Sequence, residues 1–306
     1  MYSLEQIKRG IQNPREVGYE LNRLCHTRGG VRGRNPNGTD IIDEDWDNLI
    51  LLDACRYDYF SEFAEGLSGE LEYRYSLGSA TKQFIRENFR EKTLYDTVYV
   101  GANTWFLKLQ HRINAAVHHF IDLQNGDYEV EWADEELKVV TPETVSRHAS
   151  RASEEFPNKR LIIHYLQPHH PFIGPKGQEY LPYQSNSLRE VVQMAGKGVD
   201  RHIVRKAYRE NLERVLSAVE SVLPELYGKT VITADHGEML GERFQYVPIR
   251  GYGHPIGVYN EYTTKVPWNV IQADERKEII AEQPTQQQET DMSSIDDRLR
   301  DLGYKV

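Results

Sequence analysis

Asn48-Leu49-Ile50-Leu51-Leu52-Asp53-Ala54-Cys55-Arg56-Tyr57-Asp58 decides how the rest of this 306-residue chain is read. The four consecutive apolar residues Leu49 to Leu52 suit a strand covered on both faces, and such strands belong to parallel sheets. The carboxyl ends of parallel strands are where open α/β sheets bind ligands, so Asp53 stands where chemistry is found. Thr230-Val231-Ile232-Thr233-Ala234 repeats the pattern and runs into Asp235-His236-Gly237-Glu238.

Working outward, Arg160-Leu161-Ile162-Ile163-His164-Tyr165-Leu166 is a third buried strand, ending in Gln167-Pro168-His169-His170-Pro171-Phe172. Leu71 to Tyr75 alternates like a strand, turns through Ser76-Leu77-Gly78-Ser79-Ala80-Thr81 and enters a helix over Lys82 to Phe89. A hydroxyl at that helix start meets free N–H groups and the positive end of the dipole, the layout of a nucleophile that handles an anion. Ser79 and Thr81 both qualify, and an ordinary N-cap is the competing explanation. The strand Thr97 to Val100 ends near Asn103, which could donate to a substrate oxygen. Thr141-Pro142-Glu143 opens a helix to about Phe156, a long amphipathic helix covers Asp200 to Leu226, and Lys265 to Ile271 is a further strand. Two short helices over 4–27 are broken at Asn13-Pro14, and 29–40 is a loop. Residues 105–135, with His111, His118 and His119, carry no motif; 174–199 form a loop-rich insertion suited to a lid. Strands alternating with helices give an α/β fold, a three-layer α/β/α sandwich with a mostly parallel central sheet.

A net charge of −10 argues against a nucleic-acid partner, whose footprint would be basic. Two cysteines, Cys25 and Cys55, imply no disulfide framework and favour a reducing compartment. No apolar run approaches the roughly 18 residues of a membrane span, and the N-terminus lacks a signal-peptide core. The expectation is a cytoplasmic protein in which peripheral membrane contact through basic residues such as Lys8, Arg15 and Arg23 stays open, with no prediction of oligomeric state.

The strand ends together offer Asp53, Thr81, Asp235 and His236, three oxygens and an imidazole. That donor set suits one divalent cation, with manganese, zinc, magnesium and calcium not distinguished by the residues. A cation on the Thr81 hydroxyl would lower its pKa.

The ordered motifs resemble the alkaline phosphatase/sulfatase superfamily over roughly residues 46–272. Leu51-Leu52-Asp53-Ala54-Cys55-Arg56-Tyr57-Asp58 is similar to its first metal-binding motif. Pro168-His169-His170-Pro171-Phe172 is similar to its Pro-His-x-Pro-aromatic segment, and Asp235-His236-Gly237-Glu238 to its second metal motif. His254, with Val266-Pro267 beyond it, resembles the downstream histidine and Val-Pro strand. The resemblance implies an alkaline-phosphatase-like fold with Asp53, Asp235 and His236 as metal ligands and Thr81 as metal-bound nucleophile. His169 and His254 would act on the substrate or leaving group; apart from the resemblance, His170 and Asn103 are candidate substrate-binding residues from their places at strand ends. It divides the chain into an N-terminal helical segment and loop (1–40), a catalytic domain (41–282), and a polar linker with a short C-terminal helix (283–306).

Two departures narrow the expectation. The formylglycine motif of sulfatases, Cys-x-Pro/Ala-x-Arg, is absent, and Cys55 in Cys55-Arg56-Tyr57-Asp58-Tyr59 does not fit it. The Asp-x-x-x-His pair of two-metal relatives is also missing, since no aspartate lies between Asp134 and Asp200. The expected activity is therefore a one-metal hydrolase of phosphate mono- or diesters working through a covalent threonine. Alternatives are a sulfuric ester hydrolase, a phosphoglycerol- or phosphoethanolamine-type transferase acting on a glycan or lipid head group, and a non-catalytic binding module on the same scaffold. The partner expected is a small-molecule or head-group ester.

Overall fold

In a computed structural model, residues 3, 10–126, 128–181, 187–196, 199–284 and 292–301 are described. Among the described residues the strands are β1 (Asn48–Asp53), β2 (Glu70–Tyr75), β3 (Thr93–Gly101), β4 (Ala116–Asp122), β5 (Trp132–Asp134), β6 (Val139–Val140), β7 (Arg160–Pro168), β8 (Thr230–Thr233), β9 (Met239–Arg243), β10 (Arg250–Gly253) and β11 (Lys265–Ile271). The α-helices are α1 (Pro14–Thr27), α2 (Tyr57–Ser61), α3 (Thr81–Phe89), α4 (Trp105–Ile113), α5 (Pro142–Glu155), α6 (Pro175–Tyr180), α7 (Leu188–Ala195), α8 (Arg201–Val222), α9 (Glu261–Thr264) and α10 (Met292–Asp301).

Seven strands form one sheet in the order β2-β11-β8-β1-β7-β3-β4, in which only β11 runs against the others. The apolar run of β1 explains its place: Leu49, Ile50, Leu51 and Leu52 are wholly buried, which requires a neighbour on each edge and helices on each face. Its neighbours are β7 and β8, both parallel, so the residues following Asp53, Pro168 and Thr233 converge at one end of the sheet. On one face Phe89 of α3 and Phe106 of α4 pack on Tyr99 of β3, with ring centroids 6.1 and 5.4 Å apart. On the other, Ser146 of α5 lies 2.8 Å from the Tyr165 hydroxyl of β7 and donates to Ala218 O of α8. Helices thus cover both faces, and the chain has the mostly parallel three-layer architecture expected of it.

Helix starts follow their caps. The Thr141 side chain accepts from Thr144 N with Pro142 at the first position of α5, and Asp200 accepts from His202 N and Ile203 N at the start of α8. Ahead of α1, Gly10 to Gln12 are helical and the helix breaks at Asn13; the expected helix over 4–9 lies outside the described residues. α1 docks on the β9–β10 hairpin, where Tyr19 meets Phe244 at 4.8 Å and Asn22 Nδ2 donates to Val247 O.

Two stretches differ from their sequence reading. Residues 116–122, without a motif, form edge strand β4, because a strand exposed on one side needs no continuous apolar run. The 174–199 insertion, expected as loop, contains α6 and α7; Ser187 and Glu190 build a capping box at the start of α7. Residues 182–186 and 197–198 of it lie outside the described residues, as do 285–291 of the expected polar linker and 302–306 of the expected terminal helix. Among the described residues, no helix is long and apolar enough to cross a membrane.

Candidate active site

Asp53 closes β1, and the chain then turns through Ala54 in the left-handed region at φ 60°. That turn aims Ala54 N at Asp235 Oδ1, 3.0 Å away, and His236 N donates to the same oxygen at 2.8 Å. The other oxygen, Asp235 Oδ2, is buried without a hydrogen-bond partner, 3.3 Å from His236 Nε2; Asp53 Oδ1 lies 3.7 Å from the same nitrogen. Donor atoms of Asp53, Asp235 and His236 all fall within 4.8 Å of one another, and all three residues are fully buried.

Thr81 is the first residue of α3, and Ala80 before it provides no side-chain cap. Gly78 permits this approach, since any β-carbon there would collide with Phe84 N. Thr81 Oγ1 lies 3.1 Å from His236 Nε2. Ser79 points elsewhere: its hydroxyl donates to Pro255 O at 3.0 Å and accepts from Gly257 N at 2.9 Å, fastening the loop that carries His254. Of the two hydroxyls left open by the sequence, Thr81 is the one beside the acidic cluster.

The cluster buries two carboxylates against one imidazole. Two carboxylates in low dielectric are costly without a cation, and burial raises the Asp235 pKa while it lowers that of His236 well below the imidazole range. A neutral imidazole with both carboxylates presents lone pairs, so the donor set fits a divalent cation.

Surrounding residues hold this group. Asn103, expected to reach a substrate oxygen, instead donates from Nδ2 to Asp53 Oδ2 at 2.8 Å and accepts from Trp105 N. His169 N donates to Asp53 O, stitching the end of β7 to the end of β1. Asn211 of α8 donates to His169 O and Pro171 O at 3.1 and 3.2 Å, and Tyr208 of α8 donates to Ala54 O at 2.8 Å. Neither α8 residue was named as a site residue from sequence. Their signal is polarity inside an apolar stripe, since Val204, Ala207, Tyr208, Asn211, Leu212 and Val215 share one buried face. His164 sits deeper, its Nδ1 2.7 Å from the Tyr99 hydroxyl, and burial lowers its pKa to about 4.

A cavity of about 290 Å³ opens over the cluster, lined among others by Thr81, Lys82, Trp105, His170, Arg189 and His254. His170 and His254 therefore border the space a substrate would enter. His169 packs between them, with ring centroids 4.3 Å from His170 and 4.9 Å from His254. Glu238, to which sequence assigned no role, is fully buried with Oε1 3.2 Å from His254 Nδ1. Cys55 is buried and burial pushes its thiol well above the usual range, leaving it a packing residue.

No family model and no curated protein matches this chain by sequence. Among solved structures it is similar to the soluble domain of lipooligosaccharide phosphoethanolamine transferase A from Neisseria meningitidis, at 11% identity and TM-score 0.48, covering 73% of this chain and 75% of that one. The C-terminal periplasmic domain of EptC from Escherichia coli, in complex with Zn, aligns at 11% identity and TM-score 0.43, covering 78% and 76%. An alkaline phosphatase superfamily protein from Vibrio parahaemolyticus aligns at 11% identity and TM-score 0.44, covering 87% and 71%. With TM-scores below 0.5, none of these likenesses fixes the activity of this chain.

Proposed function

We propose that this chain is a metal-dependent enzyme acting on phosphate esters, mono- or diesters, with Thr81 as covalent nucleophile. The observation that carries the reading is the position of Thr81 Oγ1, at a helix start, on the cavity wall and 3.1 Å from a buried imidazole that faces two carboxylates. Asp53, Asp235 and His236, with the Thr81 hydroxyl, would hold the cation, whose charge favours the alkoxide form of threonine and offsets negative charge on the phosphoryl oxygens.

Each residue then has a task. Thr81 Oγ1, its proton released to solvent, forms a bond to phosphorus as the bond to the leaving oxygen breaks, and the leaving oxygen takes a proton from an imidazolium on the cavity side, which becomes neutral. His254, on the cavity wall with Glu238 Oε1 3.2 Å from its Nδ1, would serve that transfer. The N-terminal N–H groups of α3 add positive potential for the phosphoryl oxygens. Asn103 keeps the Asp53 carboxylate oriented. Water or an acceptor alcohol then attacks the phosphothreonine and restores the hydroxyl.

One observation favours an ester carried on a lipid or other apolar group over a small free one. The cavity shares Tyr19, Arg189, Pro255 and Ile256 with a groove of about 940 Å³ along α1, which presents Ile11, Val17 and Leu21. A sulfuric ester hydrolase is the weaker reading, because the one cysteine near the cluster is buried and lies outside the formylglycine pattern. A binding module is weaker still, because every expected ligand and the hydroxyl are present together.

A matrix of divalent metals against aryl phosphate monoester, aryl phosphate diester and aryl sulfate, each with and without an acceptor alcohol, tests the reading. Metal-dependent cleavage of a phosphate ester supports it; cleavage of the sulfate alone, or of no ester with any metal, overturns it.

A further inference from the structure

Lys82 works against its own helix. It is the second residue of α3, where the dipole disfavours a cation, and its charge is further opposed by Lys108, Arg112 and Arg86. Asp296 acts the other way but pairs with Lys108 at 2.8 Å, and Arg86 pairs with Glu87 at 2.6 Å. No acidic side chain pairs with Lys82 among the described residues. An aromatic face holds its ammonium instead: Lys82 Nζ and Lys108 Nζ each lie over the Trp105 ring, 5.1 Å from its centroid. A chain of net charge −10 thus gathers four cations around one tryptophan, and a residue that breaks a local rule without a structural gain marks function. Lys82 and Trp105 both line the cavity over Thr81. The other permanent cation of that lining, Arg189, is already paired, with Glu16 at 2.9 Å and with its guanidinium over Tyr19. The groove along α1 shares Tyr19, Arg189, Pro255 and Ile256 with the cavity but neither Lys82 nor Trp105. The cavity therefore has an apolar side toward α1 and a basic side toward α3 and α4.

We propose that Lys82 is a specificity-determining residue that binds a second anionic group, a carboxylate, phosphate or sulfate, on the alcohol portion of the ester. The inference rests on the reading of this cavity as a phosphate-ester site. The phosphoryl group itself has positive charge from the cation proposed for Asp53, Asp235 and His236 and from the N–H groups of α3, whereas Lys82 Nζ is drawn along the wall to Trp105. An anion at that point relieves the repulsion of Lys82 by Lys108 and Arg112 as well as meeting Lys82 directly. An ammonium is a compact charge without the planar fork of arginine, so planar and tetrahedral anions both suit it. The favoured substrate is then a phosphate ester with at least one further negative charge beyond the reacting phosphorus.

Calorimetric titration of the full-length protein, with manganese and with zinc in the buffer, compares 4-carboxyphenylphosphonate with 4-carbamoylphenylphosphonate. These ligands are not cleaved, are nearly the same shape, and differ by one charge remote from phosphorus. Wild type should bind the carboxylate at least about tenfold more tightly. Lys82→Met, checked for native circular dichroism, should abolish that preference, while Lys82→Arg and Arg189→Met keep it. The matching aryl phosphates should give the same pattern in the ratio of their kcat/KM values, where leaving-group differences cancel between variants. Equal binding of the two phosphonates by wild type, or a preference that survives in Lys82→Met, overturns the second-anion site and leaves the phosphate-ester reading standing. Loss of affinity for both phosphonates by the same factor in Lys82→Met also overturns it, because Lys82 would then serve the phosphoryl group. If neither phosphonate binds and neither phosphate is cleaved with any divalent metal, the phosphate-ester reading falls and this inference with it.

Discussion

The two ends of the central sheet bury charge in opposite ways. At the amino end of β1, Asp47 is almost fully buried and accepts from Arg276 Nε at 2.5 Å and Lys229 N at 2.7 Å. Asp45 beside it is held at a pKa of about 2, chiefly by hydrogen bonds from Arg276 and Lys229. Lys277 Nζ donates to Asn48 Oδ1 and Lys159 O, and Lys159 pairs with Glu282. At the carboxyl end, Asp53, Asp235 and Glu238 are wholly buried and each has a histidine nitrogen within 3.7 Å of its carboxylate, while the nearby Arg56 pairs with Glu242 and Asp58. Paired charge at one end is structure; carboxylates gathered against imidazoles at the other include the group proposed above to hold a cation.

The contrast can be broken most forcefully at Asp235. Asp235→Asn is expected to lower turnover by more than about a hundredfold, beyond the range for residues behind the ligands, and to remove one bound cation. Its metal-free thermal stability should equal or exceed that of wild type, because one of two facing buried carboxylates is gone; a large loss of metal-free stability would place Asp235 with the structural charges. Asn103→Ala should weaken metal affinity about 10–100-fold with little change in fold, measured by competition with a chelating dye. Asp47→Ala is the mirror experiment: a loss of about 2 kcal/mol in denaturant unfolding, with turnover per folded molecule unchanged, because Lys229 N and Arg276 lose their acceptor. An activity loss matching that of Asp235→Asn would erase the distinction between the two ends.

The finest effect is a pH slope. Burial lowers the Lys277 pKa to about 8 from an ordinary 10.5. Between those values the unfolded chain carries more of that proton, so the contribution of Lys277 to stability rises with pH from about 8 to 10.5. In urea unfolding across that window, wild type should gain on Lys277→Met as pH increases; a constant difference would show that the ammonium is not desolvated in the fold.

Much of this was legible in the chain. Leu49 to Leu52 and Val231 to Ala234 announce buried strands because a strand covered on both faces must be apolar throughout, and the carboxylates that follow mark where that requirement ends. Helices α5 and α8 were readable from Thr141 and Asp200, whose side chains cap them. What escaped depends on partners distant in sequence. Asn103 reads as a turn residue until Asp53, 50 positions away, is placed beside it. Glu238 has no role in the sequence until the turn after β10 brings His254 to it. Ser79 and Thr81 cannot be ranked on one turn; the Pro255–Gly257 loop claims Ser79, and His236 faces Thr81. Strand β4 escaped for a different reason, since an edge strand with a half-exposed face shows no apolar run.

The central claim is that Thr81 is the nucleophile of a metal-loaded site, and Thr81→Ala tests it most directly when bound metal and turnover of an aryl phosphate ester are measured on the same sample. The account predicts turnover reduced by at least about a thousandfold while Asp53, Asp235 and His236 retain their cation. Turnover within a few-fold of wild type in a metal-loaded Thr81→Ala protein would contradict it.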